Sequence, residues 1–174
     1  LYCGNLYAKY IDDENKRCPV WAFLEMISFG QYLYFYKYCA DLLQNTEITE
    51  RLYLMYTVKS LRNACAHNNC IINDINSTHN KSINADLSRE CAKFIKSPSS
   101  RRRHLRHIST YQILTTMYAH QRICISTGVH NHICSELDEL KQRFFRDNDY
   151  RLHDNIKATF DVLIRAIDTW FHIM

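Results

Sequence analysis

The chain has 174 residues, 47% hydrophobic and 23% charged, with 22 Lys and Arg against 18 Asp and Glu for a net charge of +4, a balance that suits a globular protein with a real core. It holds three glycines and two prolines, where average usage gives about 12 glycines, so the turn-rich all-β folds are excluded. No GxGxxG or GxxxxGK run is present, and Rossmann enzymes, kinases and P-loop NTPases drop out with it.

The opening segment LYCGNLYAKYIDDENK has no apolar core of a secretory signal. With no initiator Met, the chain is expected to be a fragment, or the ordered part, of something longer. Trp21, Leu24, Phe29, Tyr32, Leu33, Tyr36 and Cys39 recur at helical spacing and predict one long helix, or two joined near Gly30. The longest apolar stretch, Met26 to Tyr36, lies between Glu25 and Lys37 and is shorter than the roughly 20 residues a bilayer requires. Asn45-Thr46 offers a helix start, with Glu47 and Glu50 in the first turn where the macrodipole favours them. The apolar face of Ile48, Leu52, Leu54, Met55, Val58, Leu61 and Cys65 then runs to about Asn68, where Asn68-Asn69 is a left-handed stop. Residues 73–100, rich in Asn, Ser and Lys and containing Ser97-Pro98-Ser99-Ser100, read as a loop-rich insertion with a short helix at Ala85 to Lys96. Further helices are expected from about Arg103 to Ser126, broken at Gly128, from about Ile133 to Asp147, and from about Asp149 to the end. The sum is one all-α domain over 1–174, a bundle of five or six helices.

Eight cysteines without a CxxC pair read as reduced, buried small hydrophobes of a cytoplasmic protein. Cys124, His130, His132 and Cys134 have the chemistry of zinc ligands but the spacing of no common finger, so neither a metal nor a cofactor is expected. The charge is local. Between Cys91 and Ser135 there is no acidic residue, and Lys93, Lys96, Arg101, Arg102, Arg103, Arg106 and Arg122 bring +7, leaving −3 for the rest of the chain. Such a single-sign stretch suits a polyanion, and equally a basic loop without function.

The segment Ser60-Leu61-Arg62-Asn63-Ala64-Cys65-Ala66-His67 ends the best-defined helix. An Arg and a His near a helix C-terminus are ordinary residues there. At about 100° per residue, Asn63 and His67 share a face, whereas Arg62 and His67 lie about 140° apart. A compact Arg/His site therefore needs an unwound helix end or a second copy of the helix.

Arg-Asn-x-x-x-His resembles the Arg-x4-6-His signature of HEPN domains. Pro19-Val20-Trp21, Glu25 and Phe29-Gly30, followed by Leu61-Arg62-Asn63, Cys65-Ala66-His67 and Asn73, resemble the Abi family of abortive-infection proteins, of the AbiD/AbiF type. The likeness is close over residues 17 to 75 and elsewhere extends only to helical character. Family members carry an Arg three residues after the His, and here that position is Cys70.

The resemblance implies a HEPN-like helical bundle and a metal-independent endoribonuclease that serves as an antiphage toxin. Its catalytic residues would be Arg62, Asn63 and His67, supported by Glu25 and Asn73. It also implies a homodimer with the active site at the interface, RNA as substrate, no membrane, and restraint by an antitoxin protein or a regulatory RNA. Imidazoles suit the chemistry, because one neutral ring takes the proton of an RNA 2′-hydroxyl and a second, protonated ring delivers one to the leaving 5′-oxygen. Arg62 would stabilise charge on the phosphorus. Glu25 is expected to be a buried carboxylate that pairs with Arg62 or a nearby His, and Trp21 and Phe29 are expected in the core. Lys96, Arg101, Arg102, Arg103 and Arg106 are expected to hold RNA phosphates, with Tyr111 and Tyr118 as candidates for base stacking or for the core. The match of Arg102-x4-His107 to the same signature is cheap in so basic a run. Two other readings stand beside the enzyme: a non-catalytic RNA-binding module, and a structural subunit of a larger defence complex.

Overall fold

A computed structural model describes residues 3–10, 17–72, 75–80, 82–145 and 153–174. Among these residues the chain is all-α, as the helical spacing predicted, with one isolated antiparallel bridge between Thr78 and His107. The helices among the described residues number nine rather than five or six: α1 (Gly4–Tyr10), α2 (Val20–Met26), α3 (Phe29–Leu43), α4 (Thr46–Ala66), α5 (Ala85–Cys91), α6 (Pro98–Arg106), α7 (Ile108–Ile123), α8 (Thr127–Phe145) and α9 (Asp154–Trp170). They group into two compact units, Leu1–Lys59 and Ser60–Met174, with the boundary inside α4.

In the first unit the aromatic run from Trp21 is two helices. The junction is Ser28, ahead of Gly30, because Ser28 Oγ accepts from the Gln31 amide while the Gln31 side chain accepts from the Ser28 amide, a capping box that starts a new helix. Leu33 and Ala40, seven residues apart on α3, are buried together with Ala22 and Leu52. Trp21 is 56% exposed and Phe29 half-buried, so Trp21 is corrected from core to surface. Its ring stands edge-to-face with Tyr10, with centroids 6.1 Å apart. Helix α3 ends on Gln44 in the left-handed region (φ 48°). Asn45 begins α4 as expected, its Oδ1 accepting from the Ile48 amide at 3.1 Å.

The second unit holds the larger core. Helix α7 buries Leu114, Thr115, Met117, Tyr118 and Ala119 and packs against α5, α6 and α9. Helix α9 presents Phe160, Leu163, Ala166, Ile167 and Trp170, with Phe94 edge-on to Trp170 at 5.1 Å. Three expected boundaries are corrected here. Ser97-Pro98-Ser99-Ser100 is a helix start, since Ser97 Oγ accepts from the Ser100 amide and proline at the first helical position gives up an N–H that would be unpaired anyway. The helix expected from Arg103 is divided at His107, whose extended backbone (φ −71°, ψ 125°) ends α6 and precedes α7. The break expected at Gly128 lies at 124–126 instead, because Ser126 Oγ takes the Val129 amide and leaves Gly128 inside α8. Cysteine burial is corrected as well: all eight are free thiols, but Cys91 and Cys134 are the buried ones, while Cys65 and Cys70 are exposed.

Candidate functional site

Arg62 and Asn63 lie on the last two turns of α4, and His67 follows its final residue, Ala66. Arg62 and His67 are exposed and Asn63 is half-buried. The Arg62 guanidinium donates to Asn63 Oδ1 at 3.3 Å, so the amide oxygen of Asn63 is turned to Arg62 rather than to the imidazole.

The left-handed stop stands where the sequence placed it. Asn68 has φ 53°, its amide donates to Cys65 O at 3.1 Å, and the Asn69 amide donates to Ala64 O at 2.9 Å. These are the paired bonds of a Schellman closure, which satisfy carbonyls that an α-helix end otherwise leaves open. The chain then leaves α4 and is pinned again: Ile71 O accepts from Ser109 Oγ at 2.6 Å, and Ser77 O accepts from the Ile108 amide at 2.9 Å. The His79 amide donates to Arg106 O at 3.0 Å, and its ring places Nε2 3.0 Å from Leu105 O and packs on Tyr111 at 4.7 Å. The stretch that follows the motif is thus fastened to the junction of α6 and α7. Asn73 lies outside the described residues.

Glu25 is exposed, which corrects the expectation of a buried carboxylate. Helix α2 has only seven residues and buries Ala22 alone, so it is too short to enclose a second side chain.

Helix α6 carries the basic run. Arg102, Arg103 and Arg106 are exposed, as is Lys96 ahead of the helix, and the three arginines fall within about 100° of arc. Arg101 turns inward: its guanidinium donates to Ile95 O at 2.9 Å and to Ser88 Oγ at 3.4 Å, holding the start of α6 against α5 and the turn after it. His104 is buried, and burial, with Arg103, His107 and Arg165 nearby, holds its pKa below the ordinary histidine value. Tyr118 is buried and Tyr111 half-buried against His79, which assigns both to packing.

His120, His130 and Phe171 form a stack, with His120 to His130 at 5.6 Å and His130 to Phe171 at 5.9 Å. Burial, then the neighbouring His130, lowers the His120 pKa. His130 Nε2 lies 3.1 Å from His172 O, where a carbonyl only accepts, so this nitrogen is the N–H. Among the described residues no three His, Cys, Asp or Glu side chains stand together as metal ligands, and the Cys124, His130, His132 and Cys134 set does not assemble. No described helix is long and apolar enough to cross a membrane.

Sequence reasoning placed the helix stop at Asn68 and marked the basic run in which Lys96, Arg102, Arg103 and Arg106 are exposed. It missed Ser109, His79 and the inward turn of Arg101, which depend on partners far along the chain that no local spacing marks. No curated protein and no solved structure matches the chain. Residues 3–73 match the family model for Abi-like protein, a span that takes in Trp21, Glu25, Gly30, Arg62, Asn63 and His67 and stops short of the basic helix α6.

Proposed function

We propose that the protein is a metal-independent endoribonuclease of the HEPN type with a role in abortive infection. The observation that carries this reading is the placement of Arg62, Asn63 and His67 at the end of α4, with Arg62 and His67 open to solvent, inside the span that matches the Abi-like family.

In the proposed reaction the RNA 2′-oxygen attacks the adjacent phosphorus and the bond from phosphorus to O5′ breaks. One imidazole takes the 2′-hydroxyl proton, and a second, protonated imidazole gives a proton to O5′, leaving a 2′,3′-cyclic phosphate and a 5′-hydroxyl. One chain supplies one His67, so the second imidazole comes from another copy, and the active species is a homodimer with its site at the interface. Arg62, steadied by Asn63 Oδ1, neutralises charge on the phosphoryl oxygens as the fifth bond forms. Every transfer is between side chains and RNA, so the chemistry calls for no cofactor. An antitoxin protein or a regulatory RNA would restrain such an activity in the cell.

Purified protein, RNA and EDTA test this. Cleavage is expected to fall about 10²–10⁴-fold in His67→Ala and about 10²–10³-fold in Arg62→Ala. Parental rates in both variants would overturn the assignment. A second reading, an RNA-binding module without catalysis, is favoured by the exposed Arg102, Arg103 and Arg106 on α6, which lie beyond the family match. Tight, salt-sensitive binding without cleavage in the same assay would select it.

A further inference from the structure

His67 occupies an unusual place for a reacting group, between a helix that has ended and a chain that has reversed. Its amide donates to Asn63 O at 3.0 Å and closes the last turn. The next residue, Asn68, is one of two non-glycine residues with positive φ among those described. The bond to Asn63 O keeps His67 in helical register, so its side chain leaves α4 about 140° round from Arg62, and on a straight continuation the backbone would run on past it. The reversal at Asn68 instead sends the chain to Ile71, whose carbonyl is held by Ser109. The turn that carries His67 is therefore closed by its own amide bond to Asn63 O and by those of Asn68 and Asn69 to Cys65 O and Ala64 O, and the chain beyond it is held by the Ile71–Ser109 bond.

From this geometry we infer that Asn68 is a positioning residue for His67: its left-handed backbone keeps the last turn of α4 closed, and that closed turn holds the imidazole in place relative to the Arg62–Asn63 pair. The inference rests on the ribonuclease reading of His67. Asparagine enters the left-handed region more readily than most side chains, glycine enters it freely, and a β-branched residue is excluded by its own Cβ substituents. Valine at this position forces the turn out of its closure, and the imidazole moves with it. A displacement of about 1 Å at a reacting group costs about 10²-fold in rate.

The test compares Asn68→Gly with Asn68→Val. Asn68→Gly is expected to cleave RNA within about twofold of the parent, whereas Asn68→Val loses about 10²-fold in kcat at unchanged KM. Two signals are read without any activity: the His67 ring resonances in NMR spectra, and hydrogen-exchange protection of the Asn68 and Asn69 amides. Both are expected to be kept in Asn68→Gly and lost in Asn68→Val, with the dispersed resonances of the remaining core unchanged. Valine cleaving at the parental rate overturns the inference, as does equal loss in both variants, or valine keeping the His67 resonances and the amide protection. If the parent shows no His67-dependent cleavage, the ribonuclease reading fails, and the resonances and protection still decide whether Asn68 places His67.

Discussion

Changing Arg102, Arg103 and Arg106 together to glutamine separates the arginines that face solvent from the one that faces the core. All three are exposed on α6, whereas Arg101 gives its guanidinium to Ile95 O and Ser88 Oγ. For a single strand each neutralised phosphate adds about 0.7 to the slope of log affinity against log salt, so the triple change should flatten that slope by about 2. Between 50 and 200 mM salt this removes a roughly 20-fold dependence of affinity. Arg101→Gln should leave the slope alone and instead lower stability by about 1–2 kcal/mol, because the carbonyl of the buried Ile95 loses its charged donor. Fluorescence anisotropy with a labelled RNA over a salt series reads the first effect, and thermal unfolding reads the second. An unchanged slope in the triple variant, or a flattened slope with unchanged melting in Arg101→Gln, would refute the division of roles.

Acid should destabilise the second unit. The folded pKa of both His104 and His120 lies below the ordinary histidine value, so the unfolded chain binds protons that the folded one refuses. The resulting stability is complete above about pH 6.5 and is lost as pH falls through that value, by no more than about 1.4 kcal/mol per pH unit for each group. Urea titrations at pH 7.5 and 5.5 check this, and His120→Phe should reduce the difference. Leu114 is fully buried on α7, so Leu114→Ala should cost about 2–5 kcal/mol in the same titration. Under native conditions a thiol reagent should modify the exposed Cys65 and Cys70 and spare Cys91, whose pKa burial pushes up to about 12, as peptide mapping would record.

Local chemistry made some features legible in the sequence and hid others. The start of α4 at Asn45 and its stop at Asn68 depend on side-chain and backbone preferences within a few residues, and both stand where they were expected. The likeness to the Abi family was legible because the Pro19-Val20-Trp21 block and the segment Arg62, Asn63 and His67 lie in the one span that matches the family model. Ser97-Pro98 looked like a loop because proline and serine mark both turns and helix starts, and the choice turned on a hydrogen bond from Ser100. The exposure of Glu25 and Trp21 was not legible, since a seven-residue helix has too little length for an apolar pattern to tell its buried face from its open one. Arg101 illustrates the same limit: within Arg101-Arg102-Arg103 nothing marks which guanidinium turns to Ile95.

End-group analysis of RNA incubated with the purified protein in EDTA bears most directly on the central claim, that His67 serves as a proton-transfer group in RNA cleavage. The account predicts 2′,3′-cyclic phosphate and 5′-hydroxyl ends that disappear in His67→Ala. Ends of another chemistry, or the same ends formed as fast by His67→Ala, would contradict it.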